Sequence, residues 1–186
     1  MPACYVFDRL DSTNSWLDQA YREGMRGPVI CATQDQYAGR GQRGRSWEMP
    51  AGSGLAFSLL WEMSDWPRID AEVSLAAAHV VANCLVSLGA QDIEIKRPND
   101  VLCGSKKLCG ILLESHISAS RSALILGVGV NLSLPEDFDV GQPVTDLHGA
   151  GIEPLPEVNA LLALLVAALI DMLEVYPNQV SFRSDS

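Results

Sequence analysis

The sequence predicts an α+β sandwich, and three observations lead there. The 186-residue chain is 48% hydrophobic and 19% charged, enough apolar matter for the core of one domain and too much for wholesale disorder. Its elements read helix, strand, helix and then several strands in succession, where an alternating α/β chain would interleave them. The one long apolar run, residues 161–170, is bounded by Asn159 and Asp171. It is too short to span a bilayer and reads as a buried helix.

Taken in order, Tyr5-Val6-Phe7 predicts a short strand. Asp11-Ser12-Thr13-Asn14 offers helix caps ahead of Trp16, Leu17, Ala20 and Tyr21, which recur at helical spacing, and Gly24 ends that helix. Residues 28–33 are β-rich. They run into a polar, glycine-laden stretch, 35–54, predicted to lack regular structure; loops of that length often carry function. Residues 55–61 read as a strand. Asp70 can cap a helix whose apolar positions run from Val73 to Leu88, with Gly89 as its stop. A strand over 92–96 stops before Pro98, and 101–103 with 106–114 predict a hairpin turning at Gly104-Ser105. Residues 122–131 form a further β-run. A proline-bearing connection then leads to a helix over about 157–175.

Composition narrows the function. Thirteen Lys+Arg against 23 Asp+Glu give a net charge of −10, which repels polyphosphate and argues against a general nucleic-acid binder. Five cysteines form no C-x-x-C pair, as expected of a reducing cytoplasm. The amino-terminal residues show no signal-peptide pattern. His79, His116 and His148 are scattered, so no protein zinc site is expected. Neither G-x-x-x-x-G-K-[ST] nor G-x-S-x-G occurs.

The densest signal is Gly39-Arg40-Gly41-Gln42-Arg43-Gly44-Arg45. It matches G-x-G-x-x-G formally, but that fingerprint needs a helix directly after the turn, and Pro50, Gly52 and Gly54 forbid one. What remains is a glycine-rich loop with three arginines, suited to carboxylate and phosphate, or else a solvated loop or RNA contact. Lys96-Arg97-Pro98-Asn99-Asp100 reads equally as a plain turn or as a cation, amide and carboxylate at a strand end, with Asp100 able to hold Mg²⁺ brought by a nucleotide. In the predicted hairpin, Lys107, Cys109 and Ile111 share one face. An inward lysine there needs an anion; an edge lysine guards against aggregation. Gly127 and Gly129, inside a strand pattern, mark either a close approach by some other group or tight packing against a helix.

In this order, Asp11-Ser12-Thr13-Asn14, Gln36 with Gly39 to Trp47, Lys96 to Asp100, Lys107 to Leu112 and Gly127 to Asn131 resemble the catalytic domain of biotin–protein ligases. The resemblance implies a fold related to class II aminoacyl-tRNA synthetases: a mixed, largely antiparallel sheet backed by helices, over residues 1–178, with 179–186 an expected disordered tail. It implies that biotin and ATP, with Mg²⁺, give biotinyl-5′-AMP and pyrophosphate. A lysine of a biotin carboxyl carrier domain then takes the biotinyl group. By the same resemblance Lys107 and Arg40 are catalytic. Ser12, Thr13, Asn14, Gln36, Gly39, Arg40, Gly41, Lys107 and Gly110 hold biotin, and Arg43, Arg45, Trp47, Lys96, Asn99, Asp100 and Asn131 lie on the nucleotide side, Asp100 towards Mg²⁺. The long loop is expected to order over a hydrolytically fragile acyl adenylate. Members often dimerise through sheet edges, so a homodimer is implied, with no nucleic-acid or membrane partner.

The chain departs from the pattern in three ways. Arg97 stands where the family usually has tryptophan. Gln42 stands where many members carry another arginine, which implies looser retention of the adenylate. Neither an amino-terminal DNA-binding domain nor a small carboxy-terminal SH3-like domain is expected within these residues. Two rivals stay open: activation of lipoate or another small acid, and a non-catalytic module that holds biotin or its adenylate.

Overall fold

A computed structural model describes residues 2–63, 71–117 and 122–176. Among them seven strands form one sheet: β1 (Ala3–Phe7), β2 (Val29–Thr33), β3 (Gly54–Met63), β4 (Ile93–Lys96), β5 (Asp100–Cys103), β6 (Lys106–Ile117) and β7 (Ser122–Asn131). Three helices join them: α1 (Thr13–Arg22), α2 (Ala71–Ser87) and α3 (Val158–Val175). The strand order is β1-β2-β3-β7-β6-β5-β4. Only β1 and β2 run parallel, because α1 carries the chain back between them; every other pair is antiparallel. The sheet is therefore mixed and largely antiparallel, as the resemblance to biotin–protein ligases implies. The expected cap Asp70 and the tail 179–186 lie outside the described residues.

Period-2 alternation sorts the side chains onto two faces. Leu55, Phe57 and Leu59 of β3 meet Leu124, Leu126, Val128 and Val130 of β7 in the main core, beneath α2. The helix α3 lies against α2 and reaches β3. By length and composition α3, with a mean hydropathy of 2.1, could cross a membrane. Here Leu161, Leu165 and Leu169 are buried in the core instead. The opposite face is divided. Ala123 and Ile125 of β7, with Val29, Cys31 and Leu60, receive Leu17 of α1 in a second, smaller core. Beyond them the same face of β7 carries Gly127, Gly129 and Asn131, and the two glycines are reached by the first turn of α1 and by the Trp47 side chain. That half is the floor of the site.

Two local features steer the chain around this floor. Ser12 caps α1, its Oγ accepting from Ser15 N at 3.4 Å, so the first turn of α1 stands at the floor's edge. The β5–β6 turn holds Gly104 and Ser105 at φ +51° and +66°, the two left-handed residues that a tight two-residue hairpin requires.

Candidate active site

The floor is made by pairing small residues. The register sets Ala56 beside Gly129 and Gly129 beside Gly110; the next row sets Ser58 beside Gly127 and Gly127 beside Leu112. Above it lies a cavity of about 550 Å³. Of the residues singled out by sequence, Ser12, Thr13, Asn14, Gln36, Arg40, Gly41, Arg45, Trp47, Asn99, Lys107, Gly110 and Asn131 line that cavity. Gly39 stands just behind, where a side chain would run into the Gln36 amide and the Trp47 carbonyl. Asp100 stands behind Lys107. Arg43 and Lys96 are exposed and do not line the cavity.

The two glycines of β7 that marked a close approach are approached by the chain's own side chains. A methyl at Gly127 would overlap the Asn14 amide, and one at Gly129 would overlap the Trp47 indole. The indole also covers Gly110, where an added carbon would sit 2.9 Å from Cζ3. Trp47 thus lies across both glycines, with Lys107 Nζ 5.3 Å from its ring centroid, within cation–π range.

Lys107 corrects the face expected of it. Val101 pairs with Cys109 but Leu102 pairs with Lys107, so Leu108 is an extra residue in β6, a β-bulge. Leu108, Cys109 and Ile111 are all buried in the main core. Lys107 instead shares the cavity face with Gly110, its Nζ 3.3 Å from where a Cβ would stand. Alternation alone put Lys107 with Cys109; the bulge separates them. The Lys107 main chain is fixed by Pro143 O and Thr145 N, each at 3.0 Å, and by Asn131 Nδ2, which donates to Lys107 O at 3.3 Å and to Thr145 O at 2.8 Å. Its amine lies 2.8 Å from Asp100 Oδ1, with side chains only 14% and 12% exposed. This is a close ion pair, and Oδ1 has no other partner among the described residues. Asn99 holds the strand next door, its Nδ2 donating to Ile111 O at 2.8 Å and its carbonyl accepting from Ile111 N at 2.9 Å. Burial pushes the Cys109 thiol up to about 12 against the pull of Lys107, so this neighbour is no nucleophile at neutral pH.

Opposite the amine, α1 and β3 build a polar end. Thr13 N donates to Gln36 Oε1 at 2.9 Å. Thr13 Oγ1 and Ser58 Oγ are 2.7 Å apart, and Ser58 Oγ donates to Asn14 Oδ1 at 2.5 Å. All four residues are buried.

The arginine segment is a folded flap, where the sequence predicts no regular structure. Gly41 N donates to Arg45 O at 2.7 Å, Trp47 N donates to Gly39 O at 2.9 Å, and a tight turn at Gln42–Gly44, with Arg43 and Gly44 at φ +59° and +75°, forms its tip. The guanidinium of Arg40 reaches Glu114 and Ser15.

Sequence reasoning missed Ser58, Glu114 and a second wall from the connection after β7, where Phe138, Val140, Gln142 and Val144 face the cavity. Ser58 and Glu114 carried a signal, as polar residues inside apolar strands. The wall carried none, because it is placed by hydrogen bonds distant in sequence, from Lys107 N to Pro143 O and from Thr145 N to Lys107 O.

A profile of the biotin/lipoate A/B protein ligase family matches residues 6–131. The bifunctional ligase/repressor BirA of Escherichia coli is 34% identical over 177 residues, which are 94% of this chain and 54% of that protein. The biotin–[acetyl-CoA-carboxylase] ligase of Paracoccus denitrificans is 38% identical over 140 residues, 73% of this chain and 57% of that one. The chain therefore spans about half the length of these relatives. Among solved structures, a biotin protein ligase from Aquifex aeolicus in complex with biotin and ATP superposes with a TM-score of 0.79 at 22% identity, covering 96% of this chain and 73% of that one.

Proposed function

Because the chain belongs to the biotin/lipoate A/B protein ligase family, we propose that it activates biotin with ATP and passes the biotinyl group to a carrier lysine. In the first step a biotin carboxylate oxygen bonds to the α-phosphorus and pyrophosphate leaves. In the second, the carrier amine attacks the acyl carbon, AMP leaves with the bonding pair and the amine sheds a proton. Lys107, with Arg40 and Arg45, stands between two anions that repel each other, which is the electrostatic work the first step needs. ATP brings Mg²⁺ as part of the substrate. Asp100, now paired with Lys107, is the carboxylate that would help to hold it, and the described residues contain no His/Cys/Asp/Glu cluster that would hold a resident ion.

One observation favours biotin over the family's other acids: the buried polar end formed by Thr13, Asn14, Gln36 and Ser58. A ureido ring offers two N–H donors and a carbonyl acceptor to such a surface. A dithiolane offers neither, and sites built from buried polar groups reject ligands that leave them unpaired. A biotin carboxyl carrier domain is the proposed acceptor. A homodimer is proposed as the assembly, the outer edges of β1 and β4 being unpaired within the sheet. A reducing, cytoplasmic setting is part of the reading, supported by five free thiols.

The test is to incubate the chain with ATP, a carrier domain and either biotin or lipoate, then read pyrophosphate release and carrier labelling. Biotin-dependent release and labelling are expected. Labelling only with lipoate overturns the choice of acid. Tight biotin binding without turnover makes this a binding module, and release without labelling removes the transfer step from these 186 residues.

A further inference from the structure

Glu114 on β6 has no part in the chemistry above, yet both of its carboxylate oxygens are engaged. Oε1 accepts from Arg40 Nη2 of the flap, and Oε2 accepts from Asn14 Nδ2 at 2.8 Å. The two anchors differ in setting. Glu114 is paired with Ile125 inside the sheet and its side chain is 28% exposed, while that of Arg40 is 43% exposed on a surface loop. Arg40 has a second brace, Nη1 donating to Ser15 Oγ at 3.2 Å. From Asn14 the hydrogen bonds continue through Ser58 and Thr13 to Gln36. An unbroken line therefore runs from the flap's guanidinium to the polar end of the cavity.

We propose that Glu114 is a positioning residue: it tethers the flap through Arg40 and, through Asn14, ties flap closure to occupancy of the polar end. The tether stands on contacts within the chain alone. Its link to occupancy rests on the biotin reading. Asn14 and Arg40 donate to different oxygens; glutamine carries no charge and puts a donor-only NH₂ in place of one of them, so in this geometry one of the two contacts is lost.

The flap offers its own probe, since Arg43 and Arg45 are exposed trypsin sites. Cleavage of a transiently opened segment tracks how often it opens. In the ligand-free protein, Glu114→Gln is expected to speed cleavage after Arg43 and Arg45 about fivefold, the factor that a half-exposed ion pair supplies. Cleavage after Arg22 and Arg26 serves as the internal control and should not change. Arg40→Ala, a surface change that leaves the core intact, should produce the same acceleration, and adding Glu114→Gln to it should produce none further. A residue that merely supported the sheet would accelerate cleavage in both backgrounds and at the control sites. Equal flap cleavage in the parent and Glu114→Gln proteins, or additive effects of the two changes, overturns the tether. Biotin is then added. Stronger protection of the parent flap than of the Glu114→Gln flap supports the coupling. No protection in either, with the ligand-free difference intact, overturns the coupling and the biotin reading while leaving the tether standing.

Discussion

Replacing Lys107 by alanine removes an amine from the cavity and also strands Asp100, and the two losses can be measured apart. Asp100 is 12% exposed at its side chain and lies 2.8 Å from the amine. Breaking a buried ion pair costs about 3–5 kcal/mol, chiefly for the charge left unpaired. Because a tenth or more of each side chain stays wet here, the low end, about 3 kcal/mol, is expected for Lys107→Ala. Adding Asp100→Asn removes the stranded charge and should return about 2 kcal/mol of that loss. Urea unfolding of the three proteins measures both values. Biotin-dependent exchange of pyrophosphate into ATP, measured on the same samples, should vanish in Lys107→Ala and stay absent in the stabler double variant. A double variant no more stable than the single one would show that the pair is not energetically coupled. Exchange surviving in Lys107→Ala would remove the amine from the proposed chemistry altogether.

Three further outcomes follow from the same geometry. Gly129→Ala drives a methyl into the Trp47 indole and should cost about 1–3 kcal/mol by overpacking. Trp47→Ala in that background should recover part of it, so that a double-mutant cycle gives a non-zero coupling with the double variant less destabilised than the sum of the single ones, where two independent losses would simply add. Burial pushes the thiols of Cys31 and Cys109 up to about 12. Their neutral forms therefore stabilise the fold fully below the unfolded thiol's range, and that contribution is lost as pH rises from about 9 towards 12, at about 1.4 kcal/mol per pH unit per thiol. Urea midpoints in reductant at pH 8 and pH 10 should fall more steeply for the parent than for a Cys31→Ala/Cys109→Ala variant. Gln42 lines the cavity in the flap, and Gln42→Arg should slow escape of the acyl adenylate about tenfold, one charge-assisted hydrogen bond's effect. Release of labelled adenylate from the protein on a desalting column measures it, and an unchanged rate counts against the flap as a retaining device.

The sequence was most readable where the controlling interaction is local. The cap of α1 (Ser12, one of the four candidates), the Gly104-Ser105 turn and the strands over 55–61 and 122–131 depend on neighbours a few residues away, and each stands where it was expected. It was least readable where distant pairing decides. Lys107 faces the cavity only because β6 carries one more residue than β5 at Leu108, and no period reveals a bulge. The flap closes because Gly39 and Trp47 meet across residues that read as loop. Gly127 and Gly129 signalled a close approach correctly but could not say by what; the answers are Asn14 and Trp47.

The main-chain floor at Ala56, Gly129 and Gly110 has an evolutionary consequence. Where an indole is laid directly on glycine backbone, as Trp47 is here, nearly every substitution beneath it lifts the ring and makes the recess shallower. Descendants of this chain that accept a bulkier acyl group must therefore widen it at the walls, in the flap or in the segment from Phe138 to Val144, leaving the floor as it is. Those rims are the segments in which divergent selectivity should be sought.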